Sequence, residues 1–168
     1  EPNTADGHVY KARSAYLRGK SHIAFEEATK ALAMERNRFA AAILLESAPS
    51  SMMAAELEEL VGDLAEEVEV ASSLVRKYAD AGQHADAIRV ARAIVKHDWQ
   101  RDGIVGQAIL GQYEDDIELK MGAPMSANQA LQIDEARNHL ERAWSQATKR
   151  NDKKHWLFFA ANLSSAYR

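Results

Sequence analysis

Residues 74–94, LVRKYADAGQHADAIRVARAI, predict two short helices joined by a tight turn. Leu74, Val75 and Tyr78 lie three or four positions apart, so they share one face of the first helix. Gly82 follows this pattern at the point where a helix most easily ends in a left-handed conformation. The second helix has a face of small and aliphatic side chains: Ala87, Ala91 and Ile94. Helices whose touching faces carry Ala can pack closely and antiparallel, so the stretch predicts a helical hairpin.

The composition favours helix along the whole chain. The 168 residues are 46% hydrophobic but only 7% aromatic, and they include only three Pro and eight Gly. The frequent residues Ala, Leu, Glu, Lys and Arg are the better helix formers, and no stretch alternates strongly enough to predict a strand. A chain of this length suits one domain. We therefore predict a single all-α domain over residues 1–168, with a frayed terminus at 1–6.

Charge and cysteine content exclude several functional classes. The net charge of −4 does not fit a nucleic-acid binder, which usually shows a basic excess. The absence of Cys excludes disulfides, thiolate catalysis and Cys-ligated zinc, and it leaves the compartment open. No apolar run approaches the ~20 residues of a membrane span, so we predict no membrane insertion. The chain opens with Glu1 and shows no signal peptide, which indicates a processed protein or an excised fragment.

The apolar periodicity predicts about nine helices. Besides the two of the hairpin, the second of which ends at about residue 97, they span about 7–18, 22–35, 38–46, 104–120, 134–149 and 155–168. The stretch 52–81, which includes the first hairpin helix, could be one helix. We expect a break at Gly62, because Asp63 and Glu66 have the spacing of a capping box. The predicted N-caps are Thr4 or Asp6, Ser21, Ser51, Asp98 or Asp102, and Ser126 or Asn128.

The five-residue step from Gly to Ala recurs near the N-terminus. Ala24 follows Gly19 by five residues, and Ala87 follows Gly82 by the same offset. A recurring offset of this kind indicates an internal repeat.

These repeats resemble the tetratricopeptide repeat. The pattern of that family combines small residues, an aromatic late in the first helix and a turn Gly. It is followed twice in this chain, by residues 16–19 with Ala24 and 31–32, and by residues 74–78 with Gly82 and Ala87. Residues 163–168 resemble the first helix of another repeat, and Ala136 and Ala143 fit a second helix. Good matches cover somewhat under half the chain, and residues 38–63 and 103–133 depart from the pattern.

The resemblance implies a right-handed α-solenoid of helical hairpins, whose first helices line a concave groove. It implies a non-catalytic scaffold that binds another protein or a peptide. The longer helices near the C-terminus are similar to the roughly forty-residue repeats of bacterial regulators and sensors. They imply the alternative, a sensory or regulatory ligand-binding domain of a larger bacterial signalling or transcription-regulating protein.

The family's groove positions can be placed on this sequence through the resemblance. They fall on three helices: Tyr10, Arg13 and Tyr16, then Ser72 and Arg76, then Asn162 and Ser165. Asn and basic side chains at such positions can hold a peptide's backbone or carboxylate. The chain also ends where a repeat would need its second helix, which favours excision from a larger protein over a capping helix. Self-association stays open, since uncapped solenoid ends expose apolar faces.

Two runs of like charge have two interpretations. One is acidic: Glu56, Glu58, Glu59, Asp63, Glu66, Glu67 and Glu69. The other is basic: Lys11, Arg13, Arg18 and Lys20. A solvated face is the simpler interpretation, and a polarised groove that steers a charged peptide is the alternative.

No convergent set of residues predicts catalysis, a metal or a cofactor. His22 with Glu26, and Glu135 with His139, lie one turn apart but lack a third ligand. We therefore predict that the chain is not an enzyme. Three glycines have no phosphate-binding spacing and predict close helix packing: Gly103, Gly106 and Gly111. The three Trp are expected to pack in the core or between helices: Trp99, Trp144 and Trp156.

Overall fold

The computed structural model describes residues 3–95, 98–114 and 124–166, and these form nine α-helices, one short 3-10 helix and no strand. The helices are α1 Ala5–Leu17, α2 Ser21–Met34, α3 Arg38–Ser47, α4 Ala54–Val61, the 3-10 helix Gly62–Glu66, α5 Val68–Asp80, α6 His84–Ala93, α7 Trp99–Glu114, α8 Ala127–Lys149 and α9 Lys153–Ala166. The all-α prediction is confirmed for this part of the chain. Residues 115–120 of the predicted 104–120 helix lie outside the described residues. Contacts between residues group the chain into two compact units, 1–77 and 78–168.

The first unit is built on small side chains. In it α1 packs on α2, and both contact α3. Ala12, Ala24 and Ala28 are fully buried at these contacts. Because Ala adds little bulk, it lets helix axes approach closely. The larger core residues come from later helices of the unit: Leu44, Leu45, Leu57, Val61 and Val70.

In the second unit α7 packs along α8, while α9 packs on α8 and α6 on α7. Two helical glycines make the contacts of α7 possible. A Cβ at Gly106 would lie 2.7 Å from Leu140 Cγ, and one at Gly103 would lie 2.2 Å from Phe159 Cε1. Close packing is thus confirmed at both positions. The prediction of close packing is wrong for Gly111, where a Cβ would meet nothing within 4 Å.

Three helix ends share one turn geometry. The amide of Lys20 donates to the Ala15 carbonyl at 2.9 Å, and Gln83 to Tyr78 at 2.8 Å. The third such bond runs from Asp152 to Ala147 at 3.0 Å. Each is the 6→1 hydrogen bond of a Schellman motif, which needs a residue with positive φ just before the donor. Those residues are Gly19 at 70°, Gly82 at 72° and Asn151 at 55°. The two predicted Gly turns are confirmed, and the third escaped the sequence pattern because Asn replaces Gly.

The burial predicted for residues 74–94 is confirmed. Leu74 and Tyr78 of α5 are buried, as are Ala87 and Ala91 of α6. The Arg89 guanidinium lies 5.9 Å from the centroid of the Tyr78 ring, which covers the outer side of that buried aromatic.

Several helix starts that were predicted from capping residues are confirmed. The Thr4 hydroxyl accepts from the Gly7 amide at 3.1 Å, and the Asp98 carboxylate from the Gln100 amide at 2.9 Å. Ser126 and Gln129 form a capping box, so α8 begins at Ala127 rather than near 134. Ser21 and Ser51 are wrong as caps, because Lys20 and Met53 occupy those positions.

The break at Gly62 is confirmed, but the capping box predicted beside it is wrong. Asp63 and Glu66 lie within the 3-10 helix, and α5 begins at Val68. Gly62, at φ 55°, ends α4. The Arg36 guanidinium then donates to the Val61 carbonyl at 2.6 Å and pairs with Asp63. A side chain distant in sequence thus satisfies the end of α4 and holds the carboxylate that was expected to cap a new helix.

Candidate functional site

The outer face of α1 consists of Tyr10, Arg13, Tyr16 and Leu17, and all four side chains are exposed. Tyr10 and Leu17 are each 73% exposed. Positions 10, 13 and 17 are one or two turns apart on a helix and therefore adjoin. The inward face of α1 carries small side chains such as Ala12 and Ala15. This helix therefore turns its largest apolar groups to solvent.

The basic residues around this face have few internal partners. Arg13, Arg18 and Lys20 form no ion pair with any other described residue, while Lys11 reaches the Glu27 carboxylate at 4.0 Å. Positive charge thus surrounds the exposed apolar groups. A surface of this kind can hold a ligand with apolar and acidic groups.

A polar contact fixes which way α1 faces. The buried His8 places Nδ1 2.7 Å from Glu27 Oε2 of α2, and Lys30 donates to the other oxygen at 2.7 Å. Hydrogen bonds from Lys30 and then His8, outweighing burial, lower the pKa of Glu27. Because His8 is held inward, the residues on the opposite side of α1 point to solvent.

The other predicted groove residues are placed differently. Ser72 and Arg76 are exposed on α5, where Arg76 pairs with Glu46 of α3. Ser73 also donates to Glu46 at 2.8 Å. On α9, Asn162 donates to the Phe158 carbonyl of its own helix at 2.9 Å, and the Ser165 side chain lies outside the described residues. Of the seven predicted residues, the structure brings together the three on α1.

A second concave surface, the α7–α8 groove, was not predicted. It has a volume of about 560 Å³ and is lined by Asp98, Trp99, Asp102, Glu141, Arg142, Ser145, Gln146 and Arg150. The Trp99 ring packs edge-on against His155 and Phe159, with centroids 5.0 and 5.9 Å apart. No sequence pattern predicts this groove, because its two walls are far apart in the chain and carry no motif.

A network of ionisable side chains connects the helices beside the groove. Asp102 Oδ1 lies 2.5 Å from His139 Nδ1 and 3.1 Å from Arg142 Nη2. Burial opposes ionisation of Asp102, but hydrogen bonds from Arg142 and then His139 outweigh it and lower the pKa of Asp102. Glu135 lies 3.9 Å from His139 Nε2 and also pairs with Arg92 of α6 at 2.7 Å. This network, Arg92–Glu135–His139–Asp102–Arg142, connects α8 to α6 and α7.

The lowered pKa of Asp102 predicts how the stability of the fold depends on pH. The unfolded chain takes up this proton at a higher pH than the folded chain does. The ionised carboxylate therefore stabilises the fold above about pH 4, and its contribution is lost as pH falls through the folded pKa. We expect Asp102→Asn to cost about 1–3 kcal/mol at neutral pH. Denaturant unfolding across a pH series should find that this cost disappears in acid, and a cost independent of pH would contradict the assignment.

The remaining predicted sites are isolated. His22 and Glu26 form only a pair, 3.8 Å apart. Within the described ranges no three His, Asp or Glu side chains are grouped so that they could hold a metal ion. Trp99 packs between helices as predicted, Trp144 is exposed against expectation, and the Trp156 side chain lies outside the described part.

None of the described helices combines the length and apolar character that crossing a bilayer requires. The chain matches no protein-family model, no curated protein and no solved structure.

Proposed function

We propose that this protein is a non-catalytic scaffold that binds a protein or peptide on the outer face of α1. The observation that carries the proposal is the exposure of Tyr10 and Leu17 beside Arg13, which has no ion-pair partner among the described residues. Large exposed apolar groups bordered by polar residues mark interaction sites. Tyr and Arg are also the residues that most often dominate binding energy.

The turn geometry supports a repeat scaffold of the tetratricopeptide type. Ala24 and Ala87, five residues after the two turn glycines, are both fully buried. Equivalent residues thus have equivalent burial in α2 and α6. In such a scaffold the hairpins form a right-handed solenoid and α1 is the first helix of its repeat.

The chemistry of the α1 face favours one class of peptide. Arg13, Arg18 and Lys20 attract carboxylates, and Tyr10 and Leu17 offer contacts to apolar side chains. We therefore expect a ligand that carries acidic residues with apolar residues about one helical turn away.

A displayed library of random peptides, selected on the immobilised protein, tests this function. We expect the selected peptides to be acidic and apolar. Their affinity should fall about tenfold or more on Tyr10→Ala or Arg13→Ala. Phe39→Ala is the matched control, because Phe39 is also an exposed aromatic of the first unit. A library without binders, or binders indifferent to both α1 variants, would contradict the proposal.

The second candidate function, a sensory domain for a small ligand, is favoured by the α7–α8 groove. Trp99 gives that groove an aromatic wall, and its lining carries side chains of both charges, such as Glu141 and Arg150. Binding there would not involve α1. A ligand that raises the Tm equally in the wild type and in Tyr10→Ala would therefore favour this second function.

A further inference from the structure

We propose that the outer face of α1 docks onto α4 of a second copy of this chain. The surface it would meet, called the acidic face of α4, consists of Glu56, Glu59 and Leu60 of α4 and its N-cap Met53. This inference rests on the proposed binding role of α1 and names its partner.

The two faces repeat one pattern with opposite charge. On α1, Tyr10 is followed by Arg13 at three positions and by Leu17 at seven. At α4, Met53 is followed by Glu56 at three positions and by Leu60 at seven. Arg13 and Leu17 adjoin on α1 as Glu56 and Leu60 adjoin on α4, because four positions make about one helical turn. Met53 is the N-cap, with an extended backbone, just before the first turn of α4. Each face thus combines exposed apolar groups with a charge, basic on α1 and acidic on α4.

Helix α4, like α1, buries one face and leaves large apolar groups on its other face exposed. Helix α4 buries Ala54, Leu57 and Val61 and leaves Met53 and Leu60 63% and 40% exposed. Both faces belong to the first unit and both are open to solvent, so neither covers the other within one chain. Docking between copies would cover them together.

Charge makes a second copy a better occupant than an unspecified protein. Glu59, Glu66 and Glu67 form no ion pair with any described residue, as Arg13 and Lys20 form none on the other side. Glu56 already accepts from the Met53 amide at 2.9 Å, which leaves Glu59 as the carboxylate for Arg13. The chain therefore carries both halves of a complementary contact. Pairing would bring opposite charges together and remove four large apolar groups from water.

The pairing predicts the character of the assembly. Two short helices make a small contact, typical of weak and reversible association. The contact joins different surfaces of the two copies, so each copy keeps one unused face unless the arrangement closes on itself.

Sedimentation velocity of the full chain tests the pairing. From about 5 to about 500 μM, a range that brackets weak association, the average mass of the wild type should rise with concentration. Added salt should weaken the association, because the charges are exposed. A wild type that is monomeric over the whole range would overturn the inference.

Charge reversal identifies the surfaces. Arg13→Glu alone and Glu59→Lys alone should each weaken association about tenfold or more, because each sets like charges against one another. A mixture of the two variants should associate again, since each then meets an opposite charge on the other. The double variant carrying both changes should recover as well. Two variants that fail alone and recover together cannot both be misfolded, so the result does not depend on a separate test of folding.

Lys149→Glu is the control, since it makes the same change of charge on an exposed residue of the second unit. It should leave association unchanged. Association that persists in both single reversals, or that the mixture does not restore, would overturn the pairing of α1 with α4. If the chain is monomeric yet selected peptides bind α1, the pairing fails and the proposed function stands.

Discussion

Leu140→Ala is expected to lower the free energy of unfolding by about 2–5 kcal/mol, the largest effect that we predict. Leu140 is fully buried on α8, the helix against which α7 packs. Removing its methyl groups leaves a cavity that the surrounding helices can close only in part. Denaturant unfolding followed by circular dichroism measures the loss. A cost near that of an exposed Leu, for example Leu131→Ala, would contradict this placement.

Gly106 allows the same contact to be tested by a double-mutant cycle. A Cβ at Gly106 would lie 2.7 Å from Leu140 Cγ and 3.0 Å from the Ala136 carbonyl oxygen. Gly106→Ala should therefore cost about 1–3 kcal/mol in the wild type. In the Leu140→Ala background the first clash is absent, so the cost should fall, although the carbonyl contact remains. Strict additivity of the two costs would show that these residues do not touch.

Gly103→Ala is the second substitution for which we expect a large loss of stability. The added Cβ would lie 2.2 Å from Phe159 Cε1, far inside normal contact. Phe159 is buried, and its ring packs against Trp99 and Phe158 with centroids 5.9 and 5.5 Å away. The ring cannot shift without disturbing that aromatic cluster. We expect a loss of about 1–3 kcal/mol in the free energy of unfolding.

Gly111→Ala is the matched control for that substitution, because it makes the same change on the same helix. A Cβ there would meet nothing within 4 Å, and Ala favours helix over Gly by about 0.5–1 kcal/mol. The variant should therefore be slightly more stable than the wild type. If Gly111→Ala destabilises the protein as much as Gly103→Ala, helix propensity and packing have been assigned to the wrong residues.

Predictions that depended on neighbouring residues were confirmed most often. Gly19 and Gly82 end their helices with positive φ because Gly lacks the Cβ that disfavours it. Thr4, Asp98 and Ser126 cap helices because a side-chain oxygen can reach an amide two or three residues ahead. Such interactions involve a few adjacent residues, so the local sequence suffices to identify them.

The capping prediction at Asp63 failed because a distant residue took the place of a local partner. Arg36 satisfies the Val61 carbonyl and pairs with Asp63, which therefore caps no helix. The candidate site shows the same limit. The resemblance places Arg76 at a groove position, and the structure pairs its guanidinium with Glu46 of α3. Nothing near Arg76 in sequence identifies that partner, because it depends on which helices meet.

The sequence by itself determined that the chain is helical, where most helices start and stop, and that Tyr10, Arg13 and Tyr16 lie on one helix. These features follow from periodicity, capping and turn chemistry, which act within a few residues. Only the tertiary structure decided that α1 turns these residues outward and that α7 and α8 enclose a groove. It also decided that Asp102 joins His139 and Arg142. The reason is that helix packing selects among many faces of similar apolar content, and that choice rests on contacts between distant residues.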